Sequence, residues 1–229
     1  MGIPSSFLVA AKAKPTAHVG LRPGSVRVVL YDPEWPREFR RIRRRLLPLF
    51  PGSRIEHIGS TSVVGCRAKP IIDVSVGLPK GGSIHADDAK AAGLDFRLAR
   101  PGSITFRLQG RAGLTVGFVH VSARDSEPEL SLLLFRDYLR AHAAATEEYG
   151  RLKRRLAATT KDRGDYSRAK ASFIERTQEN ARRWAKTTGW KATHRRGSGR
   201  GGPAGTPTAP RQAILRTRSA LLPRARPAT

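Results

Sequence analysis

The spacing of apolar residues along the chain predicts both helices and strands in its first third. Between residues 37 and 50 the apolar positions recur at helical spacing with arginines on the opposite face, and the stripe is Phe39, Ile42, Leu46 and Leu49. β-rich runs at residues 26–30, 54–58 and 71–76 predict three short strands. This part of the chain therefore mixes the two kinds of element.

The pattern changes from strands to helices at Pro128. Before it, residues 83–92 read as a capped helix, and residues 103–108 and 114–121 as an antiparallel pair of strands. Beyond it the apolar period is helical to about residue 186. The whole pattern predicts an α+β fold, with a small mixed sheet flanked by helices and a helical C-terminal half.

Positive charge is concentrated at the two ends of the chain. The 229 residues include 43 Lys and Arg against 18 Asp and Glu, a net charge of +25. Residues 1–27 contain four cations, residues 186–229 contain ten, and neither segment contains an acid. The latter is also rich in Gly and Pro, a composition typical of disorder. We expect a flexible arm over residues 1–26, a folded domain over residues 27–185 and a disordered basic tail over residues 186–229, whose charge would attract polyanions nonspecifically.

Composition excludes several classes of protein. A single cysteine, Cys66, excludes an internal disulfide framework and a thiolate-rich zinc site, and it favours a reducing compartment. No apolar run approaches the roughly 20 residues that span a bilayer. The apolar residues 7–11 lack the preceding charged region of a secretory signal. The expectation is a cytoplasmic protein without membrane contact.

The densest group of polar residues lies between the strands predicted at residues 54–58 and 71–76. It consists of Gly59, Ser60, Thr61 and Ser62, followed by Lys69 and Asp73. The glycine lets backbone amides approach a ligand, and hydroxyl groups and a lysine can bind phosphate oxygens. With Asp73 holding Mg²⁺, the segment fits a nucleoside triphosphate. The alternative is a Ser/Thr-rich turn before an ordinary buried strand.

Two histidines and two lysines are open to a functional and a structural interpretation. His57 and His120 flank predicted strands, and each is either a general base or phosphate donor or a buried structural histidine. Lys153 and Lys170 could approach the same cleft if the C-terminal helices fold back over it. For both lysines, a solvent-exposed helix face is the default expectation.

Arg136 is a charged residue with apolar neighbours on a predicted helix. A guanidinium in such surroundings is costly to bury without a partner. Asp137 is adjacent, and adjacent helix positions do not face one another, so we expect the partner elsewhere. Arg136 is expected to point toward the cleft between Gly59 and Asp73, or toward a carboxylate that borders it. It is either a contact to ligand phosphate or half of a structural ion pair.

The chain resembles the GrpB family of bacterial proteins. The matching blocks are residues 31–36, 55–76, 120–121, 134–140 and 173–174, with Tyr149, Lys153, Tyr166 and Lys170 between the last two. The resemblance covers about residues 27–185 and implies the fold of the polymerase-β-like nucleotidyltransferase superfamily. It also implies that Gly59 and Ser60 form a phosphate-binding turn and that Asp73 is the first metal-binding carboxylate. In some bacteria such a domain is fused behind a dephospho-CoA kinase.

One departure from this superfamily leaves two functions open. Active transferases place a second acid two residues after the first, on the same strand face, and here that position is Ser75. The first function is binding of a nucleotide or other phosphorylated ligand, with nucleotidyl transfer by Asp73 and His120 and Mg²⁺ on Asp73. Its ligand contacts would be Gly59, Ser60, Thr61, Ser62, Lys69 and Arg136. The alternative is a noncatalytic accessory module, associated in some relatives with dephospho-CoA kinase, whose active site has decayed.

Overall fold

Five strands form one mixed sheet in the part of the chain that the computed structural model describes, residues 19–160 and 163–192. The strands are β1 Arg54–Ile58, β2 Ile72–Leu78, β3 Leu94–Arg100, β4 Ser103–Gln109 and β5 Thr115–Ala123. Their order across the sheet is β1-β2-β5-β4-β3. Strands β2 and β5 run parallel, and the three other neighbouring pairs run antiparallel.

The helices of this region come mostly after the sheet, as predicted. They are α1 Trp35–Leu46, α2 Ala86–Ala91, α3 Glu127–Ala141, α4 Ala143–Thr159, α5 Arg163–Arg168 and α6 Ala171–Thr188, and a short 3-10 turn, Ser60–Ser62, follows β1. None of the helices in the described ranges is both long enough and apolar enough to span a membrane. The predicted α+β class, a small mixed sheet flanked by helices, is confirmed.

Helix α1 forms the main apolar core with one face of the sheet. Ile42 and Leu46 of its apolar stripe belong to the same buried cluster as Val74 and Val76 of β2. Pro36 lies in the first turn and three arginines in the last, which suits the direction of the helix dipole. The stripe read from the sequence is therefore the buried face of this helix, although the helix ends at Leu46.

Helix α3 covers the opposite face of the sheet. Glu129 lies over Gly77 of β2, where any Cβ would overlap its carboxylate. Arg54 of β1 forms an ion pair with this buried Glu129, and a second one with Asp125 at 2.9 Å. Side chains alternate along a strand, so β2 presents Val74 and Val76 to α1 and Asp73, Ser75 and Gly77 to the α3 side.

The structure differs from the predicted strands in two places. Strand β3 was missed because, from Asp95 to Arg100, its side chains are half-buried or exposed, and it lies at the edge of the sheet without an apolar alternation. The strand predicted at residues 26–30 is wrong, since in that stretch only Val29 forms an isolated bridge, to Ala68. An apolar β-branched run does not show whether a neighbouring strand is available for pairing.

The folded part of the chain extends beyond the boundaries predicted from composition. Val19 and Leu21 are buried, and Leu21 bridges to Thr115 of β5. At the other end α6 continues to Thr188, and the Trp190 indole donates a hydrogen bond to Asp137 at 3.2 Å. The rest of the predicted arm, residues 1–18, and of the predicted tail, residues 193–229, lies outside the described residues.

Candidate functional site

A cleft of about 320 Å³ opens between the turn that begins at Gly59, directly after β1, and the C-terminal helices. Of the residues predicted as a site, it is lined by Gly59, Ser60, Thr61, Lys69, Asp73 and His120. The helical side contributes Phe135, Tyr149, Lys153, Tyr166, Ser167 and Lys170. The structure thus brings together six of the eight predicted residues, and Ser62 and Arg136 are not part of the lining.

The turn after β1 is built against Asp73. Gly59 has a φ of 67°, a backbone conformation that L side chains rarely adopt. A Cβ at this position would also overlap Oδ2 of Asp73. The register of β1 and β2 pairs Ile58 with Asp73, so the turn and the carboxylate are adjacent by sheet pairing. The loop and the acid that the sequence predicted as neighbours are therefore in contact.

Asp73 and His120 form the sheet side of the cleft. Nε2 of His120 lies 3.9 Å from Oδ1 of Asp73, and both side chains are about one-third exposed, at 27% and 32%. The other ring nitrogen of His120 hydrogen-bonds with the Thr105 hydroxyl at 3.2 Å. The two side chains predicted as catalytic thus share one wall and are accessible to a ligand.

Two of the three hydroxyl groups in the turn form hydrogen bonds within the turn or to the strand before it. Thr61 Oγ1 lies 3.0 Å from Nε2 of His57, and Ser62 Oγ donates to the Gly59 carbonyl at 2.6 Å. His57 is buried and stacks on Phe39 at 4.8 Å between ring centres. Burial lowers the pKa of His57 to about 3. His57 is a neutral structural histidine, and Ser60 presents the turn's accessible hydroxyl.

Lys153 is buried against the turn, and the expectation of a solvent-exposed face is wrong for it. It is 3% exposed, and its Nζ donates to Ser60 Oγ at 2.7 Å and to Cys66 Sγ at 3.2 Å. The ammonium also lies 4.0 Å from the centre of the Tyr149 ring. Burial lowers the pKa of Lys153 to about 8, and the neighbouring Cys66 opposes that shift.

A second aromatic residue holds two more lysines at the cleft. Nζ of Lys69 and Nζ of Lys170 lie 4.6 Å and 4.7 Å from the centre of the Tyr166 ring, a cation–π distance. Burial raises the pKa of Tyr166. The Tyr166 hydroxyl is buried and has no hydrogen-bond partner among the described residues. A buried polar atom in this state is uncommon in folded proteins.

Arg136 is buried and forms hydrogen bonds with strand β1. Its Nη1 donates to Glu56 Oε2 at 3.0 Å and to the His57 carbonyl at 3.2 Å. The sequence predicted a carboxylate partner for Arg136, and Glu56 on β1 is such a partner. The expectation that Arg136 and Asp137 do not face one another is wrong, because Nε of the long side chain curls back to Asp137 Oδ1 at 2.7 Å.

The donor set near Asp73 does not fit a two-ion magnesium centre. Asp73 is the one Asp or Glu in the cleft lining, and Glu56 on the adjacent strand is bound to the Arg136 guanidinium. Ser75, at the position of a second acid, is buried, and its hydroxyl lacks a partner within residues 19–160 and 163–192. These residues also contain no group of three His, Cys, Asp or Glu side chains able to hold a metal.

The sequence analysis gave too little weight to the cleft residues that the C-terminal helices contribute. Tyr149 and Lys153, and likewise Tyr166 and Lys170, are spaced four residues apart. Side chains at this spacing are neighbours on one helix face, so two tyrosine–lysine pairs were a signal in the sequence. Phe118 and Phe135 carry no comparable signal, because an apolar residue on a strand or helix is usually part of the core.

Comparisons with known proteins agree on one family. The model of the GrpB protein family matches residues 25–180. A UPF0157 protein of Streptomyces coelicolor is 39% identical over 148 residues, which cover 63% of this chain and 77% of that protein. The crystal structure of the conserved protein GrpB from Enterococcus faecalis superposes with a TM-score of 0.59 at 29% identity, covering 69% of this chain and 99% of that one. A dephospho-CoA kinase of Mycolicibacterium paratuberculosis is 29% identical over 204 residues, 72% of this chain and 48% of that protein.

Proposed function

This chain belongs to the GrpB family, and we propose that it binds a nucleotide or another small phosphorylated molecule in the cleft. One observation carries the proposal. Three lysines, Lys69, Lys153 and Lys170, line the same cleft as a single carboxylate, Asp73. Ammonium groups in a concave, partly desolvated site attract anions more strongly than the same groups do on an open surface.

The size and the walls of the cleft suit a small ligand with a polar and a flat part. Its volume of about 320 Å³ is at the lower end of the range for small-molecule sites. Phe118 and Phe135 supply aromatic surface, and Tyr166 adds its ring to the same lining. A nucleoside phosphate would place its phosphates among the lysines and its base against the aromatic rings.

In this proposal, Asp73 and His120 form hydrogen bonds with the uncharged part of the ligand. A carboxylate repels phosphate but accepts hydrogen bonds from sugar hydroxyl groups. His120, whose Nε2 faces Asp73, can donate or accept at the same place. The donor set does not fit two magnesium ions, so the proposed function is ligand binding without nucleotidyl transfer, and Mg²⁺ on Asp73 stays a prediction.

Thermal unfolding of the full-length chain with a panel of compounds tests the proposal. The panel holds nucleoside mono-, di- and triphosphates, the matching nucleosides, and inorganic phosphate and pyrophosphate, each with and without Mg²⁺. A compound that binds the native state at 100 times its Kd adds about 2.7 kcal/mol to the free energy of unfolding. We expect phosphorylated compounds to raise the Tm and nucleosides to leave it unchanged. No rise with any phosphorylated compound would contradict the proposal.

A second candidate function is that of a noncatalytic accessory module. Its support is Ser75, a buried hydroxyl where an active transferase of the implied superfamily has its second acid. A relative named dephospho-CoA kinase is longer than this chain, which covers 48% of it, so a similar segment exists beside other sequence there. This candidate predicts that no compound of the panel changes the Tm.

A further inference from the structure

Ser60, Lys153 and Tyr149 form a compact polar group at the wall of the cleft. Ser60 Oγ accepts a hydrogen bond from Nζ of Lys153 at 2.7 Å. Tyr149 and Ser60 line the same cleft. Tyr149 and Lys153 lie one turn apart on α4, so a single helix face presents both groups to the serine. Phosphate binding alone does not require a lysine to be buried against a serine.

The lysine is held in a fixed position and in surroundings that favour its neutral form. Cys66 Sγ lies 3.2 Å from Nζ, and the Tyr149 ring lies 4.0 Å from it. Lys153 is 3% exposed, and loss of water lowers its pKa to about 8. The charged and titratable groups around it are Cys66, Tyr149, Lys170 and Asp73. A nucleophile, a base in hydrogen-bond reach and a third group that orients the base are the parts of a covalent catalyst.

We propose that Ser60 is an activated nucleophile with Lys153 as its general base, and that it accepts the acyl group of an ester or thioester bound in the cleft. This activity goes beyond the ligand binding proposed above and does not depend on it. The acid or phosphate part of such an ester would lie near Lys69 and Lys170, which line the same cleft. The preferred substrate class is therefore an acidic ester or thioester.

The chemistry balances with water as the only co-reactant. Ser60 Oγ attacks the carbonyl carbon while its proton moves to the neutral Nζ of Lys153. The tetrahedral intermediate then collapses, the bond from carbon to the leaving oxygen or sulfur breaks, and the leaving group takes the proton from Lys153. Water attacks the resulting acyl-serine, gives its proton to Lys153, and releases the acid as Ser60 recovers that proton.

An acyl group suits this site better than a phosphoryl group does. Attack on a carbonyl needs one nucleophile and one proton acceptor, which Ser60 and Lys153 provide. The carbonyl carbon is neutral, and the negative charge that develops on its oxygen would be stabilised by the nearby ammonium groups. The aromatic wall of Phe118 and Phe135 suits the carbon chain of an acyl group.

Covalent labelling of the full-length native chain with diisopropyl fluorophosphate tests the nucleophile. Peptide mapping by mass spectrometry should locate the adduct on Ser60, and urea-denatured protein should not react. Lys153 loses its proton as the pH rises through about 8, so the neutral base is a minor form at pH 7 and dominant at pH 9. The labelling rate should rise about tenfold between these values and then level off.

Variants of Lys153 distinguish a general base from a lysine that has only a structural role. Lys153→Arg keeps the cation over Tyr149 but cannot accept a proton, so it should lower the labelling rate about 100-fold or more. Lys153→Met should do the same, and Ser60→Ala should give no adduct. Lys90→Met on the exposed face of α2 is the matched control and should label like the wild type. If Lys153→Met does not fold, Lys153→Arg and the pH profile decide.

The acyl substrate is tested with 4-nitrophenyl esters of acetic and succinic acid. We expect a burst of one equivalent of 4-nitrophenol per chain, faster with the succinate half-ester because it carries a carboxylate. Absence of both the burst and the native Ser60 adduct would overturn the inference, as would labelling of Lys153→Arg at the wild-type rate. Phosphate-dependent stabilisation that persists in that case would show that this inference alone has failed.

Discussion

Gly59 occupies a position that excludes a side chain for two separate reasons. Its φ of 67° is in the left-handed region, and a Cβ there would overlap the Asp73 carboxylate. Gly65, six residues later, has a similar φ of 79° but no heavy atom within 4 Å of the Cβ position. Gly59 therefore combines a positive φ with a close contact at the cleft, whereas Gly65 has the positive φ without the contact.

Alanine substitutions at these glycines should differ in cost. Gly65→Ala should lower the free energy of unfolding by about 1–2 kcal/mol through backbone strain alone. Gly59→Ala should cost a further ~1–3 kcal/mol because Asp73 must move. Urea unfolding of both variants measures the difference. Equal losses would show that the turn does not press on Asp73.

His57 gives the fold a defined pH dependence. Its pKa is lowered to about 3 in the folded state, whereas an unfolded histidine titrates near 6.5. Between these values the unfolded chain binds a proton that the folded chain does not, so the stability falls as the pH falls. The loss approaches 1.4 kcal/mol for each pH unit below about 6.5 and ends near pH 3.

Replacing His57 should reduce this slope. Urea unfolding between pH 6.5 and 5 should show a shallower loss of stability for His57→Gln than for the wild type, by about 1–2 kcal/mol over the range. His85→Gln is the control, because His85 is exposed and should keep the wild-type slope. A wild-type slope in His57→Gln would mean that this histidine is protonated in the folded protein.

At the scale of elements, Arg136 joins α3 to β1. Its side chain is 3% exposed and pairs with Glu56, whose side chain is 21% exposed, and with Asp137 on its own helix. Arg54 and Glu129 form a second ion pair between the same two elements. Because β1 leads directly into Gly59, these pairs fix the strand from which the turn of the cleft emerges.

Removing the buried guanidinium should be costly without removing the cleft. Arg136→Met should destabilise the protein by about 2–4 kcal/mol, since it removes the buried partner of Glu56 and one of the partners of Asp137. Arg151→Met breaks a pair whose side chains are 60% and 70% exposed and should cost less than about 1 kcal/mol. Arg136→Met should also keep its ligand-induced rise in Tm, because Arg136 is outside the lining. Loss of that rise would make Arg136 a ligand contact.

Helices and strands could be predicted where the spacing of apolar residues in the sequence matches the side chains that are buried in the structure. Strands β1, β2, β4 and β5 and the buried face of α1 follow from apolar spacing, because each packs a regular face against the core. Strand β3 does not follow, since most of its side chains are half-buried or exposed and its pairing with β4 is decided by the chain reversal between them. The spacing of apolar residues indicates which side chains are buried, and few side chains of β3 are buried.

At the scale of the whole molecule, the cleft is made by elements far apart in sequence. Gly59, Asp73 and His120 could be grouped from the sequence because strand pairing brings their positions together. Lys153 could not be placed, because the face of α4 that packs on Cys66 is set by the apolar cluster around Tyr149 and Phe173. The roles expected for Thr61 and Ser62 changed because their hydroxyl groups serve the turn itself.

The net charge of +25 makes a cleft-specific measurement necessary. A chain of this charge attracts any polyanion, and a binding signal alone would not identify where the anion lies. Two double variants remove the same charge from different places. Lys69→Ala with Lys170→Ala acts in the cleft, and Lys80→Ala with Lys90→Ala acts on exposed positions outside it.

Titration calorimetry of these two variants and the wild type with the strongest ligand of the panel tests the central claim. We expect the cleft variant to lose at least about tenfold in affinity, a change of ~1.4 kcal/mol, and the surface variant to bind like the wild type. An equal change in both variants would contradict the account, because the binding would then follow net charge and not the cleft.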